Sequence, residues 1–72
     1  MNRIDLRQLP APEPLTRALA AADALEPGHV VEVLVPQMPV PLLEMLEERG
    51  LRWRVESCID GGVWVAILRP AQ

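Results

Sequence analysis

The sequence predicts an α+β fold, a two-layer α/β sandwich whose elements follow in the order β-α-β-α-β-β. Alternating or β-branched segments indicate four strands, and two segments with apolar residues at three- and four-residue spacing indicate helices. Prolines and glycines separate the segments. Because a β-α-β crossover is right-handed, we expect both helices on one face of a four-stranded mixed sheet.

The first half of the chain contains a short strand and a helix. Residues 3–7 alternate, with Ile4 and Leu6 on either side of Asp5, as in a strand. Pro12 and Pro14 suit the first turn of a helix, where a missing amide costs no hydrogen bond. An apolar stripe then continues the helix until Pro27-Gly28 ends it. The stripe consists of Leu15, Ala18, Leu19, Ala22 and Leu25.

The second half contains three strands and a helix. Residues 29–35 are apolar and β-branched, as in a buried strand, and a loop with Pro36, Pro39 and Pro41 leads into a helix that Gly50 ends. Residues 51–58 alternate charged and apolar side chains, which predicts a half-buried strand. Residues 60–62 form a turn, and residues 63–69 form the last strand. Met38 and Met45 are expected to fill gaps in the core.

The length and composition predict one small domain over residues 1–72. The core must be mainly aliphatic, because the chain has no Phe or Tyr and only two Trp residues. A lone Cys58 excludes an internal disulfide, and no cluster of Cys and His indicates a metal site. Since so small a domain often needs further stabilisation, we expect self-association or a protein partner.

The charge distribution excludes several classes of function. The net charge is −3, and all seven basic residues are scattered arginines, so no concentrated basic face for nucleic acid is predicted. The apolar runs are too short to span a membrane, and no targeting segment is recognisable. The single thiol fits a reducing compartment, which favours a cytoplasmic location. Nothing in the sequence indicates a cofactor.

The last strand is apolar on both faces, so one face is expected to remain outside the core. Its two sets of side chains are Trp64, Ala66 and Leu68, and Val63, Val65 and Ile67. We expect the first set to pack on the helices. The second set would then form an exposed apolar row, which typically marks an interface.

The chain resembles the TusA/SirA-like superfamily. The resemblance is carried by the element order, by Ile4-Asp5-Leu6-Arg7-x-Leu9-Pro10-x-Pro12-Glu13-Pro14-Leu15, by Pro27-Gly28 and by the final Gly-x-Trp-x-x-x-x-Arg. It is closest to an uncharacterised cousin family, a domain of unknown function with a Leu-Pro-Pro-Pro-Glu-Pro loop. That family often has an Asp-His pair before the second helix, where this chain has Pro36-Gln37.

The resemblance implies a sulfur-carrier scaffold without its nucleophile. TusA-like proteins hold a persulfide on the cysteine of a Cys-Pro-x-Pro motif and use this end of the domain to dock a partner enzyme. The matching residues here are Ala11, Pro12, Glu13 and Pro14, and the methyl group of Ala11 carries no sulfur. Enzymatic sulfur transfer is therefore not expected.

Three functions are compatible with these residues. The first is a non-catalytic protein-binding or accessory module that uses Ala11, Pro12, Glu13 and Pro14 together with the row of Val63, Val65 and Ile67. The second is a divergent sulfur carrier using Cys58, although a cysteine beside Asp60 is more often structural. The third is a site for an anion or other small ligand between the helix N-termini. His29 and Glu13 have no partner in sequence that would indicate catalysis.

Overall fold

The computed structural model describes residues 2–71 and has the predicted fold class. The predicted domain boundaries, Met1 and Gln72, lie outside the described residues. The six elements are β1 (Asn2–Asp5), α1 (Glu13–Asp23), β2 (Val30–Val35), α2 (Val40–Glu48), β3 (Arg52–Ser57) and β4 (Val63–Leu68). The predicted order β-α-β-α-β-β is therefore confirmed.

The sheet is mixed, with the strands in the order β1-β2-β4-β3. β1 runs parallel to β2, because α1 crosses over between them, and the other neighbouring pairs are antiparallel. β3 and β4 form a hairpin whose turn contains Gly61 and Gly62, both at positive φ. β1 and β3 are the two edge strands, so β2 and β4 form the centre of the sheet.

Both helices bury an apolar stripe against the central strands. Ala18 and Ala22 of α1 and Leu42 and Leu46 of α2 are completely buried. These pairs are four residues apart, so each lies on one face of its helix. The helices contact each other and cover the same face of the sheet, as a two-layer sandwich requires.

The prediction for the faces of β4 is wrong. Val65 and Ile67 are 0% exposed, and Val63 is also buried, so all three side chains pack in the core under the helices. Trp64, Ala66 and Leu68 are partly exposed on the opposite face. The row of Val63, Val65 and Ile67 is consequently not available to a partner in this fold.

The charge on β2 explains which face of β4 is buried. Glu32 lies directly opposite Ala66, and residues that are opposite each other in a sheet point to the same face. A carboxylate is costly to bury without a partner, so Glu32 lies on the open face, partly exposed and paired with Arg3. Ala66 therefore also lies on the open face. Its neighbour Val65 points to the other face, where it packs in the core opposite Val33.

β3 is more exposed than the predicted half-buried strand. Trp53 is half-buried, but Val55 is 41% exposed, although both are on the helix side of the sheet. β3 is an edge strand, and the helical layer leaves this part of it uncovered. The open face of the same strand carries Arg52, Arg54 and Glu56.

Within residues 2–71, neither helix has the length and apolar character that crossing a lipid bilayer requires. α1 has 11 residues and α2 has 9 residues. Both are amphipathic helices that pack on the sheet.

Candidate functional site

Two proline-containing loops meet at one end of the sheet. β1 and β2 are parallel neighbours, so they end at the same edge, and each strand is followed by a loop and a helix. The first loop ends at Pro12, the N-cap of α1, and the second ends at Pro39, the N-cap of α2. Residues from both loops and from both first helical turns therefore surround one space.

This space is a cleft of about 280 Å³, which we call the proline cleft. Its lining consists of five prolines (Pro12, Pro14, Pro36, Pro39 and Pro41), five other apolar residues (Ala11, Leu15, Val35, Met38 and Leu42) and Gln37. Gln37 is the one lining residue with a polar side chain. The cleft therefore offers an apolar surface with a single amide.

The local sequence explains why few amides are free here. The Glu13 amide donates to the Pro10 carbonyl oxygen at 2.9 Å, and Pro14 and Pro41 have no amide hydrogen in the first helical turns. The Thr16 amide is also occupied, since it donates to the Pro12 carbonyl oxygen at 3.1 Å. A helix N-terminus with so few free donors favours an apolar ligand over an anion.

Two exposed apolar side chains extend this surface. Met38 in the second loop is 48% exposed, and Val40 at the start of α2 is 52% exposed. The expectation that Met38 fills a gap in the core is wrong, because its side chain is exposed and lines the proline cleft. Large side chains of this kind at a cleft mark a surface suited to contact with an apolar partner.

The structure brings together three of the four residues predicted in the first loop. Ala11, Pro12 and Pro14 line the proline cleft. Glu13 begins α1 and is exposed, but it does not line the cleft. A small-ligand site between the helix N-termini was among the functions expected from the sequence, but no residue of the second loop was assigned to it, although the parallel β1–β2 pairing places both loops at one edge.

Comparison with known proteins places this fold in a family. Residues 3–69 match the family model described as "Uncharacterized conserved protein (DUF2249)". The chain belongs to the DUF2249 family. Its fold is also similar to the crystal structure of the SirA-like protein from Desulfitobacterium hafniense, with a TM-score of 0.81 and 32% sequence identity. The match covers 97% of this chain and 99% of that chain, which confirms the SirA-like fold. No curated protein matches the sequence significantly.

The free cysteine of this DUF2249 protein is away from the proline cleft. Cys58 follows β3 in the hairpin turn and is partly exposed. It lines a separate pocket of about 710 Å³ on the open face of the sheet, together with Ser57, Ile59 and Trp64. Neither the cleft lining nor its first loop contains a thiol in this DUF2249 protein.

The open face of the DUF2249 sheet carries a fixed group of three side chains. The Arg3 guanidinium carbon lies 5.2 Å from the centroid of the Trp64 ring. The Arg3 Nε donates to the Glu32 carboxylate at 2.6 Å. The arginine is thus held between a carboxylate and an aromatic face, which gives this surface a mixed rather than a basic character.

No group of three or more His, Cys, Asp or Glu side chains is positioned to hold a metal ion among residues 2–71 of this DUF2249 protein. His29 is exposed before β2, at the other end of that strand from the proline cleft.

Proposed function

We propose that the chain is a non-catalytic protein-binding module that holds a short apolar segment of a partner protein in the proline cleft. The observation that carries this proposal is the apolar lining of the cleft, in which Gln37 alone is polar. Met38, which lines the cleft, and Val40, which follows the lining residue Pro39 in sequence, are both exposed and add apolar area. Such a surface loses unfavourable contact with water when a partner covers it.

The size of the cleft favours one or two side chains of a protein over a larger ligand. Its volume of about 280 Å³ lies just below the range that is typical of small-molecule sites. The Gln37 amide is suited to hydrogen-bond the backbone of an inserted segment, which has both donors and acceptors. The partner segment should therefore contain a bulky apolar residue with an accessible backbone beside it.

The charge near the cleft favours a basic flank on the partner. Glu13 is exposed at the first turn of α1, and the whole chain has a net charge of −3. An Arg or Lys beside the apolar residue of the partner segment would approach an acidic protein. This contribution should act mainly on the association rate and weaken as salt is added.

The absence of a nucleophile supports binding without catalysis. Ala11 stands where the resemblance to sulfur carriers implies a reactive cysteine, and no Cys, Ser or His lines the cleft. The same resemblance implies that this end of the domain docks partner proteins. Retaining the docking surface while losing the thiol is consistent with an accessory role.

The test is site-specific photo-cross-linking in cells that naturally express the protein. A photoreactive amino acid at Met38 should cross-link one partner protein through an apolar segment, which mass spectrometry of the cross-linked peptides identifies. The matched control carries the same group at Ile59, a fully exposed apolar residue in the hairpin turn. Cross-linking to the same partner from both positions, or from neither, would contradict the proposal.

A second step measures the affinity for the identified segment. Met38→Asp places a charge on the apolar wall and should weaken binding by about tenfold or more, because burying an unpaired carboxylate is costly. Ile59→Asp makes the same chemical change outside the cleft and should leave the affinity unchanged.

The divergent-carrier alternative makes a different prediction. If sulfur transfer through Cys58 were the function, Cys58→Ala would abolish a persulfide adduct that adds one sulfur to the protein mass. Under the binding proposal, Cys58→Ala keeps the full affinity for the partner segment. The two variants, Cys58→Ala and Met38→Asp, therefore separate the two functions.

A further inference from the structure

β3 presents an exposed edge of the sheet. It is six residues long, pairs with β4 without a bulge, and contains no Pro or Lys. Five of its six residues are exposed, and Val55 leaves an apolar side chain in solvent. Proteins usually shield such edges, because the unpaired backbone groups readily pair with another strand.

The main-chain hydrogen bonds establish which groups of β3 point outward. The Cys58 amide donates to the Gly62 carbonyl oxygen at 3.0 Å, so the main chain of Cys58 faces β4. Main-chain groups alternate between the two sides of an antiparallel strand, so Glu56 and Arg54 also face β4. The residues whose N–H and C=O groups point to the open edge are Trp53, Val55 and Ser57.

A second hydrogen bond gives the same alternation independently. The Arg69 amide, at the end of β4, donates to the His29 carbonyl oxygen at 3.1 Å, so the main chain of Arg69 faces β2. Three residues earlier, Ala66 must then face β3. Ala66 is paired with Arg54, which confirms that the main chain of Arg54 faces inward.

We propose that two copies of the chain associate through antiparallel pairing of β3 with β3, about a twofold axis at Val55. In this register Val55 lies opposite Val55 of the second copy, and Trp53 lies opposite Ser57. The outward main-chain groups of these residues then face one another and form roughly six hydrogen bonds. The two four-stranded sheets become one continuous sheet with the helices of both copies on the same face.

Charge complementarity favours this register, and it favours a second copy of the chain as the partner of β3. With Val55 on the axis, Arg54 of each copy lies opposite Glu56 of the other copy, which gives two opposite-charge pairs. Within residues 2–71, neither Arg54 nor Glu56 forms an ion pair in the single chain. The sequence Arg54-Val55-Glu56 is therefore complementary to itself when its direction is reversed.

Neighbouring registers are less favourable for identifiable reasons. Placing the axis between two residues would pair an outward main-chain group with an inward one and lose the hydrogen bonds. Placing it at Arg54 or at Glu56 would bring two like charges directly opposite each other. Of the positions Arg54, Val55 and Glu56, Val55 is therefore the one that satisfies both the backbone and the charges.

The twofold arrangement also closes the assembly. Pairing β3 of one copy with the other edge strand, β1, of the next copy would leave an unpaired β3 at one end and an unpaired β1 at the other, so further copies would add and form a fibre. β1 is shorter, with four residues, and runs parallel to its neighbour. Pairing β3 with itself uses the longer edge of both copies and ends at a dimer. This surface is separate from the proline cleft, so the proposal does not depend on partner binding there.

Sedimentation velocity over a concentration series tests the proposal with two charge variants. Arg54→Glu and Glu56→Arg each place like charges opposite each other twice, and each should raise the dimer dissociation constant by about tenfold or more. An equimolar mixture of the two variants should form a heterodimer with near wild-type affinity, because every facing pair is then opposite in charge. Arg17→Glu, an exposed change on α1, is the charge-matched control and should dimerise as the wild type does.

A backbone variant tests the hydrogen bonds. Val55→Pro removes an N–H group that points outward, so the single chain should keep its circular dichroism spectrum while the dimer is lost. A wild type that remains monomeric throughout the series would overturn the proposal. So would charge variants that dimerise normally, or a mixture that stays monomeric, since each result assigns any association to another surface.

Discussion

The guanidinium group of Arg7 lies 3.1 Å from the carboxylate of Asp5, and the two residues connect the end of β1 to the β3–β4 turn. The Arg7 Nε and backbone amide also donate to the Asp5 carboxylate, at 3.2 Å and 3.0 Å. On its other side, Arg7 lies 3.6 Å from the carboxylate of Asp60 and donates to the Gly61 carbonyl oxygen at 3.4 Å. The hairpin turn is thus held to the strand that precedes the proline cleft.

This contact makes stability depend on pH in the acid range. The side-chain hydrogen bonds from Arg7, followed by its backbone hydrogen bond, lower the pKa of Asp5 below the ordinary value of 3.8. A carboxyl with a lowered pKa in the folded state contributes stability above its unfolded pKa and loses it as the pH falls through the folded value. Wild type should therefore exceed Asp5→Asn in stability near neutral pH, and the difference should disappear at the acid end.

Urea unfolding of wild type and Asp5→Asn at a series of pH values measures this difference. Asp60→Asn is the control, because its more exposed carboxylate has only the longer contact with Arg7. A difference between wild type and Asp5→Asn that stays constant down to the lowest pH would contradict the role of Asp5.

The second prediction concerns the two glycines of the hairpin turn. Both have positive φ, 99° at Gly61 and 95° at Gly62. A Cβ on Gly62 would lie 2.9 Å from the Val35 carbonyl oxygen and 3.0 Å from the Arg7 side chain, whereas a Cβ on Gly61 would meet nothing within 4 Å. Gly61→Ala should cost about 1 kcal/mol for the strained backbone alone. Gly62→Ala should cost at least about 2 kcal/mol, because the contact is added to the strain.

Thermal and urea unfolding of both alanine variants check this prediction. Since the backbone term is nearly the same in the two variants, the difference between them reports the close contact with Val35 and Arg7. Equal losses of stability would show that the turn relaxes without cost.

Local patterns predicted the elements of this fold, but not the orientation of the last strand. The alternation in β4 is real, yet both of its faces are apolar, so β4 alone contains no signal for the buried side. The signal lies on the neighbouring strand, where Glu32 must avoid the core and lies opposite Ala66. Predicting which face of β4 is buried therefore requires the pairing register between β2 and β4. These strands are far apart in sequence, so their register depends on the tertiary structure.

The sequence predicted the location of the proline cleft and its first-loop residues, but not its second-loop residues. The first loop was recognisable from Pro12 and Pro14, because prolines at a helix start form a local pattern. Met38 was not, because a methionine between two prolines has the same local sequence whether it is buried or exposed. Its exposure follows from the parallel pairing of β1 and β2, which places both loops at one edge and leaves the space between them open.

The third prediction concerns the aromatic contact on the open face. Arg3 contacts both the Trp64 ring and the Glu32 carboxylate, but its side chain is largely exposed, so the contribution of the group should be small. A double-mutant cycle with Arg3→Gln and Trp64→Leu should give a coupling energy of about 0.5 kcal/mol. Arg17→Gln combined with Trp64→Leu is the control, and its coupling should be zero within error, because Arg17 lies on α1.

The last prediction uses the cross-strand neighbours Val55 and Val65, which lie opposite each other on the helix side of the sheet. Val65 is 0% exposed and Val55 is 41% exposed, so the same substitution removes the same atoms from two different environments. Val65→Ala should lower the free energy of unfolding by about 2 kcal/mol, since it leaves a cavity between the sheet and the helices. Val55→Ala should cost less than about 1 kcal/mol when measured at a concentration where the chain is monomeric. Equal losses in the free energy of unfolding for the two variants would mean that Val65 does not face the helices. Such a result would also contradict the location of Trp64, Ala66 and Leu68 on the open face.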